Sequence, residues 1–158
     1  MASLNPLQGA LGRRRAAHLL RRTSYRFGKA KVLEMADQTA AQALPSLLTL
    51  NPFQLDQPVY GAANTTWILP LPGLSVASYP AQDFVLRRYL IGWWLHEALH
   101  DAGIGHKMTL FFHQFMAVAI TTSNNQHYFD YLSLMRWGAL KNFKKLATKL
   151  VTDNAMLR

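Results

Sequence analysis

The sequence predicts a mainly α-helical protein, an irregular bundle of about six or seven helices with one long proline-rich loop. Three observations carry this. Apolar residues recur at helical spacing before residue 49 and after residue 81. Residues 49–80 break that pattern with Pro52, Pro58, Pro70, Pro72 and Pro80, and with Gly61 and Gly73. One short run, Thr65–Leu69, reads as a strand, and nothing in the sequence pairs with it.

The elements follow in order. Gly12–Arg22 (GRRRAAHLLRR) predicts a basic helix with Ala16, Leu19 and Leu20 inward, ended by Thr23 and Ser24. Lys29–Ala36 predicts a second, with Val32, Leu33 and Met35 inward. Thr39 and Gln42 form a capping-box pair that opens a third short helix with Ala43, Leu44, Leu47 and Leu48 apolar. Pro45 is expected in its first turns, where a missing N–H costs nothing. In the loop at 49–80, Tyr60 and Trp67 are expected to pin the chain to the core.

Asp83 is placed to cap a helix reaching about Asp101, with Leu86, Leu90, Trp93 and Trp94 buried. Tyr89, Trp93, His96 and His100 form the adjoining strip at i, i+4 spacing. Gly103 and Gly105 end this helix. The next, about His106 to Thr121, is apolar nearly all round and so belongs in a core. Thr122–Asn125 reads as a turn and cap, followed by helices at about 126–137 and 140–151 separated by Gly138. In the last helix Leu140, Phe143, Leu146, Ala147 and Leu150 are expected inward. Thr152 or Asp153 starts a further helix, inside which the sequence stops. The expectation is one helical domain, residues 1–158, that forms the N-terminal part of a longer protein.

Composition narrows the function classes. Half of the 158 residues are hydrophobic and 16% are charged, which excludes a disordered chain. There is no cysteine, hence no disulfide and no thiolate ligand or nucleophile. No apolar run is long enough for a transmembrane span, and no secretory signal precedes the first helix, so the compartment defaults to the cytoplasm. The net charge of +9 is uneven: eight of the 17 Lys and Arg lie between Arg13 and Lys31, ahead of the first acidic residue, Glu34. Lys141, Lys144, Lys145 and Lys149 form a second cluster. A solvated basic face, or docking to an acidic protein partner, fits these segments better than nucleic acid, because neither segment shows a known nucleic-acid-binding module.

The sharpest motif is HEALHDAGIGH, His96–His106. It satisfies H-E-x-x-H-x-x-G-x-x-H, a zinc-protease signature. His96 and His100 share a helix face, Gly103 lets the chain turn, and His106 could complete a three-imidazole zinc site with Glu97 as general base. His113 is a fourth metal candidate, within Phe-Phe-His-Gln-Phe; the alternative for it is a hydrogen-bonded core histidine. The proteases that carry this signature place a mixed sheet before it and a Met-turn after it. Here the upstream chain is helix and loop, and Met116 and Met135 fall on predicted helices.

Four segments in order, AAHLLRRTSYRFGKAKVLEMA, YLIGWWL, HKMTLFFHQF and GALKNFKKLATKLVTDNAMLR, resemble the N-terminal third of a bacterial family. It is the domain-of-unknown-function family numbered eighteen hundred. The resemblance implies a mostly helical protein longer than 158 residues and no established activity. Its FWHxHF segment stands here as Phe111–Met116 and lacks the second His, and His106 replaces its usual Glu. The leading functional expectation is therefore a structural, assembly or partner-docking module that meets the remainder of its own full-length chain. A zinc-dependent hydrolase using Glu97, His96, His100 and His106 is the alternative. Binding of nucleic acid or an anionic surface through the basic segments ranks third.

Overall fold

The computed structural model describes residues 7–50, 55–60, 65–66, 79–119 and 124–157. The protein is mainly α-helical, with seven helices among the described residues. They are α1 (Gly12–Thr23), α2 (Lys29–Ala36), α3 (Ala40–Leu47), α4 (Tyr79–His100), α5 (Gly105–Phe115), α6 (Asn125–Gly138) and α7 (Phe143–Val151). A two-residue antiparallel pair, β1 (Val59–Tyr60) with β2 (Thr65–Thr66), lies between α3 and α4. The expected strand at 65–69 thus has a partner. Trp67, like the rest of 67–78, lies outside the described residues.

Two apolar cores form. The first belongs to α1–α3 and the segment before them: Leu11, Ala16, Leu20, Met35, Ala36, Ala43 and Leu47 are buried, with Leu19 and Val32 partly so. The helix spacing dictates this, since Ala16 and Leu20 lie one turn apart on the face away from the arginines. Thr39 and Gln42 make the expected capping box, Thr39 Oγ1 accepting from the Gln42 amide while the Gln42 side chain accepts from the Thr39 amide at 2.9 Å. Leu33, expected inward, is instead exposed, and so are Leu44 and Leu48 of the apolar set in α3 and at its end. Pro45 stands in the second turn of α3 rather than the first. A helix of eight residues loses little by the missing hydrogen bond, because it is nearly over.

The second core joins α4–α7. Leu90, Phe112, Tyr128, Phe129, Tyr131, Leu132, Met135, Leu146 and Leu150 are buried, Leu86, Trp93 and Trp94 pack against them, and Leu55 reaches in from the loop. α4 begins at Tyr79, so Asp83 lies within the helix and does not cap it; Pro80 occupies the first turn, where it is tolerated. α5 ends at Phe115, well before Thr121. The Tyr131 hydroxyl donates to the Met116 carbonyl at 2.5 Å, satisfying a carbonyl left over at the helix end. α5 also buries only one side, leaving Phe111 and Phe115 exposed. Asn124 caps α6 by accepting from the His127 amide, and Asn142 caps α7 by accepting from the Lys145 amide, so α7 starts later than Leu140. Leu140 and Phe143 are exposed. Asp153 accepts from the Ala155 amide and organises a turn after α7.

The α6–α7 joint is tight at Gly138, where a Cβ would lie 2.5 Å from both Leu146 Cδ1 and Cδ2. Gly138→Ala should therefore cost about 1–3 kcal/mol by overpacking. Thermal unfolding should show a lowered midpoint. The Leu146→Ala background should make the same substitution cheaper, because the opposing methyls are gone.

Candidate functional site

The motif segment does two different jobs. Its first half lies on α4, where His96 and His100 are exposed one turn apart with ring centroids 4.2 Å from each other. His100 Nδ1–H donates to the His96 carbonyl at 2.8 Å, so that nitrogen is spent on its own helix. Glu97 is half-buried beside them. The second half leaves the surface. Asp101 is buried, and its carboxylate accepts from the Gly103 amide at 2.8 Å and from the His106 amide at 3.3 Å. Arg136 of α6, with a fully buried side chain, donates to the same carboxylate at 2.9 Å.

The two glycines of the turn are needed for close approach. A Cβ on Gly103 would stand 2.9 Å from the Thr49 carbonyl and 3.2 Å from that of Leu47. One on Gly105 would stand 2.5 Å from Arg136 Nη1 and 2.8 Å from Leu50 Cδ2. The Ile104 amide donates to the Leu47 carbonyl at 2.9 Å. Lys107 Nζ donates to the Arg21 carbonyl at 2.6 Å and sits over the Tyr25 ring. The Asp101–Lys107 segment is thus where the α1–α3 core meets the α4–α7 core.

His106 is held inside this joint. Its Nδ1 accepts from the Trp94 indole N–H at 3.2 Å, which leaves the proton on Nε2. Burial lowers its pKa to about 4, the Arg136 guanidinium pushes the same way, and Asp101 opposes them. The imidazole is therefore neutral, as a ligand would be, yet it faces Trp94 while His96 and His100 face solvent. Among the described residues no group of three or more His, Cys, Asp or Glu is arranged to hold a metal ion. That includes His96, His100, His106 and Glu97, and it includes His113.

His113 belongs to a separate polar chain on the α5–α6 seam. Because the Tyr131 hydroxyl gives its proton to Met116, His113 Nδ1–H donates to the Tyr131 oxygen at 2.9 Å. Nε2 then accepts from the Tyr128 hydroxyl at 3.4 Å. Burial lowers the His113 pKa and raises those of both tyrosines, so every member is neutral. The edge of its ring meets Trp94, at 6.1 Å between centroids. This satisfies a core histidine and leaves neither ring nitrogen for a ligand.

Asp101, Arg136, Trp94, Tyr128 and Tyr131 were not singled out for these roles by the sequence. Asp101 had a signal, an acid followed by two closely spaced glycines, and Arg136 another, a cation inside an apolar helix. Their pairing across 35 positions had none.

Comparison with known proteins places the chain in a family. The model for "Protein of unknown function (DUF1800)" matches residues 18–158, and the chain belongs to that family. No curated protein and no solved structure matches it.

Two measurements check this geometry. His96→Ala with His100→Ala should leave stability within about 0.5 kcal/mol, as for exposed residues, whereas Asp101→Ala or Arg136→Ala alone should cost about 3–5 kcal/mol by orphaning a buried charge. Urea unfolding should also show acid lability from His106. Its folded pKa, about 4, lies below the unfolded value near 6.5, so the unfolded state takes up the proton first. Stability is complete above about pH 6.5 and falls by on the order of 3 kcal/mol towards pH 4. His113 contributes with the same sign. His106→Gln should flatten most of that slope.

Proposed function

Starting from that family membership, we propose that this chain is a helical docking module whose working surface is the outer face of α4. The carrying observation is a helix apolar on both sides and covered on one. Leu86, Leu90, Trp93 and Trp94 belong to the second core, and Ala98 is buried. Ile91, Leu95 and Leu99, at i, i+4 and i+8, stand 39%, 55% and 46% exposed on another face. Gly92 and Tyr89 flank them, and among the described residues nothing lies within 4 Å of where a Gly92 Cβ would be. A contiguous apolar patch marks an interaction surface. An open glycine in its middle suits the close approach of another backbone.

The second core supports the same reading. Phe111 and Phe115 of α5 touch each other at 4.7 Å between centroids and remain exposed, Phe115 by 70%. These rings are large, and leaving them in water forgoes roughly 1.5–3 kcal/mol each. A covering polypeptide would recover it. The partner favoured is further polypeptide of the same protein. No helix among the described residues is long and apolar enough to cross a membrane, so a lipid-spanning role gains no support.

A photoreactive residue at position 95, in the protein as its own cell makes it, should give one discrete cross-link. The same residue at Thr148, exposed on α7, should give none. A product from position 95 no more discrete than that from position 148 would sink the proposal. Leu95→Glu with Leu99→Glu should leave the fold of this chain intact, with stability changed by about 0.5 kcal/mol or less, while abolishing the cross-link from a probe at Ile91.

A further inference from the structure

A different surface carries a second inference, independent of the α4 face. A groove of about 780 Å³ lies between α1 and α3. Its floor is Leu11, Leu19, Ala40 and Leu44, and its rim is Arg13, Arg14, Arg15 and His18. The rim side chains are exposed, and Arg21 and Arg22 extend the same cationic side along α1. Among the described residues none of these six is in an ion pair or hydrogen bond through its side chain. The first acidic residue of the sequence is Glu34. Two cations of the protein do have a carboxylate beside them, Lys31 with Glu34 and Arg136 with Asp101. Here a row of charges is answered by nothing.

We infer that this groove receives an acidic amphipathic helix from a partner protein, its apolar side chains on Leu11, Leu19, Ala40 and Leu44 and its carboxylates on Arg13, Arg14, Arg15 and His18. Charge complementarity selects an acidic occupant. The apolar floor selects among acidic occupants. A nucleic-acid backbone would leave four apolar residues uncovered, and the groove offers no Phe, Tyr or Trp ring on which a base could stack. A membrane surface would need an apolar helix face to insert, and that of α1, Ala16 and Leu20, is shut inside the first core. A helix lying in a groove uses both features at once, with anchors at i, i+3 and i+4 and charge along its flank. Arginine at the rim can hold a carboxylate by two bonds, through its planar fork. Leu44 and Leu48, 38% and 46% exposed on consecutive turns of α3 and its end, continue the apolar track beyond the groove.

The test is fluorescence anisotropy with the whole chain and three probes. The first is a labelled amphipathic peptide of leucine and glutamate at helical spacing. The second is a glycine–glutamate peptide of equal charge, and the third a phosphatidylglycerol vesicle. The amphipathic peptide should bind more tightly than the glycine–glutamate peptide by roughly tenfold or more. Arg14→Gln with Arg15→Gln and His18→Gln should weaken it by roughly tenfold, and Leu44→Asp should do so as well. All four positions are exposed or half-exposed, and circular dichroism of each variant confirms the fold. Equal binding of the two peptides overturns the inference, since charge alone then suffices. Indifference to Leu44→Asp overturns it, and so does saturable binding of the vesicle without binding of the peptide.

Discussion

The carboxylate of Asp101 is the point on which the rest of the structure turns. It is buried and accepts three hydrogen bonds, from the Gly103 amide, the His106 amide and Arg136. Two of these shape the turn between α4 and α5, and the third ties that turn to the last turn of α6. A charge taken from water is tolerated only when its partners are complete. The demand propagates: Gly103 must lack a side chain to approach the Leu47 and Thr49 carbonyls, and Gly105 must lack one to admit Arg136. Once the turn is in place, the Ile104 amide meets the Leu47 carbonyl, and the two cores are joined.

That constraint changes the meaning of the zinc-like signature. Gly103 and His106, which would supply the bend and the third ligand of a metalloprotease, are here accounted for by the turn and by the Trp94 hydrogen bond. Only His96, Glu97 and His100 remain without such a structural task among the signature positions, apart from the bond from His100 to its own helix. A string can match a catalytic pattern because some of its positions serve packing, and the match is then to spelling rather than to geometry.

Much of the fold was legible because its signals are local. The Thr39–Gln42 capping box, the end of α1 at Thr23 and Ser24, and the Ala16–Leu20 stripe depend on residues within one or two turns. What escaped depends on distance. Apolar content at Phe111, Phe115 and Phe143 announces helices but not which side of them is covered, since an uncovered apolar face has the same composition as a covered one. The carbonyl of Met116, at the end of α5, is taken up by Tyr131, 15 positions later, and no window of helical periodicity spans that far. The candidate site divides similarly. The His residues were visible as a cluster in sequence; that His106 turns towards Trp94, and His113 towards Tyr128 and Tyr131, follows from how α4, α5 and α6 cross.

The amides of Gly103 and His106 have an unusual kind of protection. A helix amide is shielded by a neighbouring turn, and fraying releases it one residue at a time. These two are bonded to a side chain whose other contact lies on α6. Opening the turn at either amide takes a hydrogen bond from the carboxylate that Arg136 also holds, and so weakens the support of a buried charge. The turn therefore belongs to the same cooperative unit as the helices it connects. A connection of this sort is held by one buried carboxylate, so the Gly103 and His106 amides share a single protecting group.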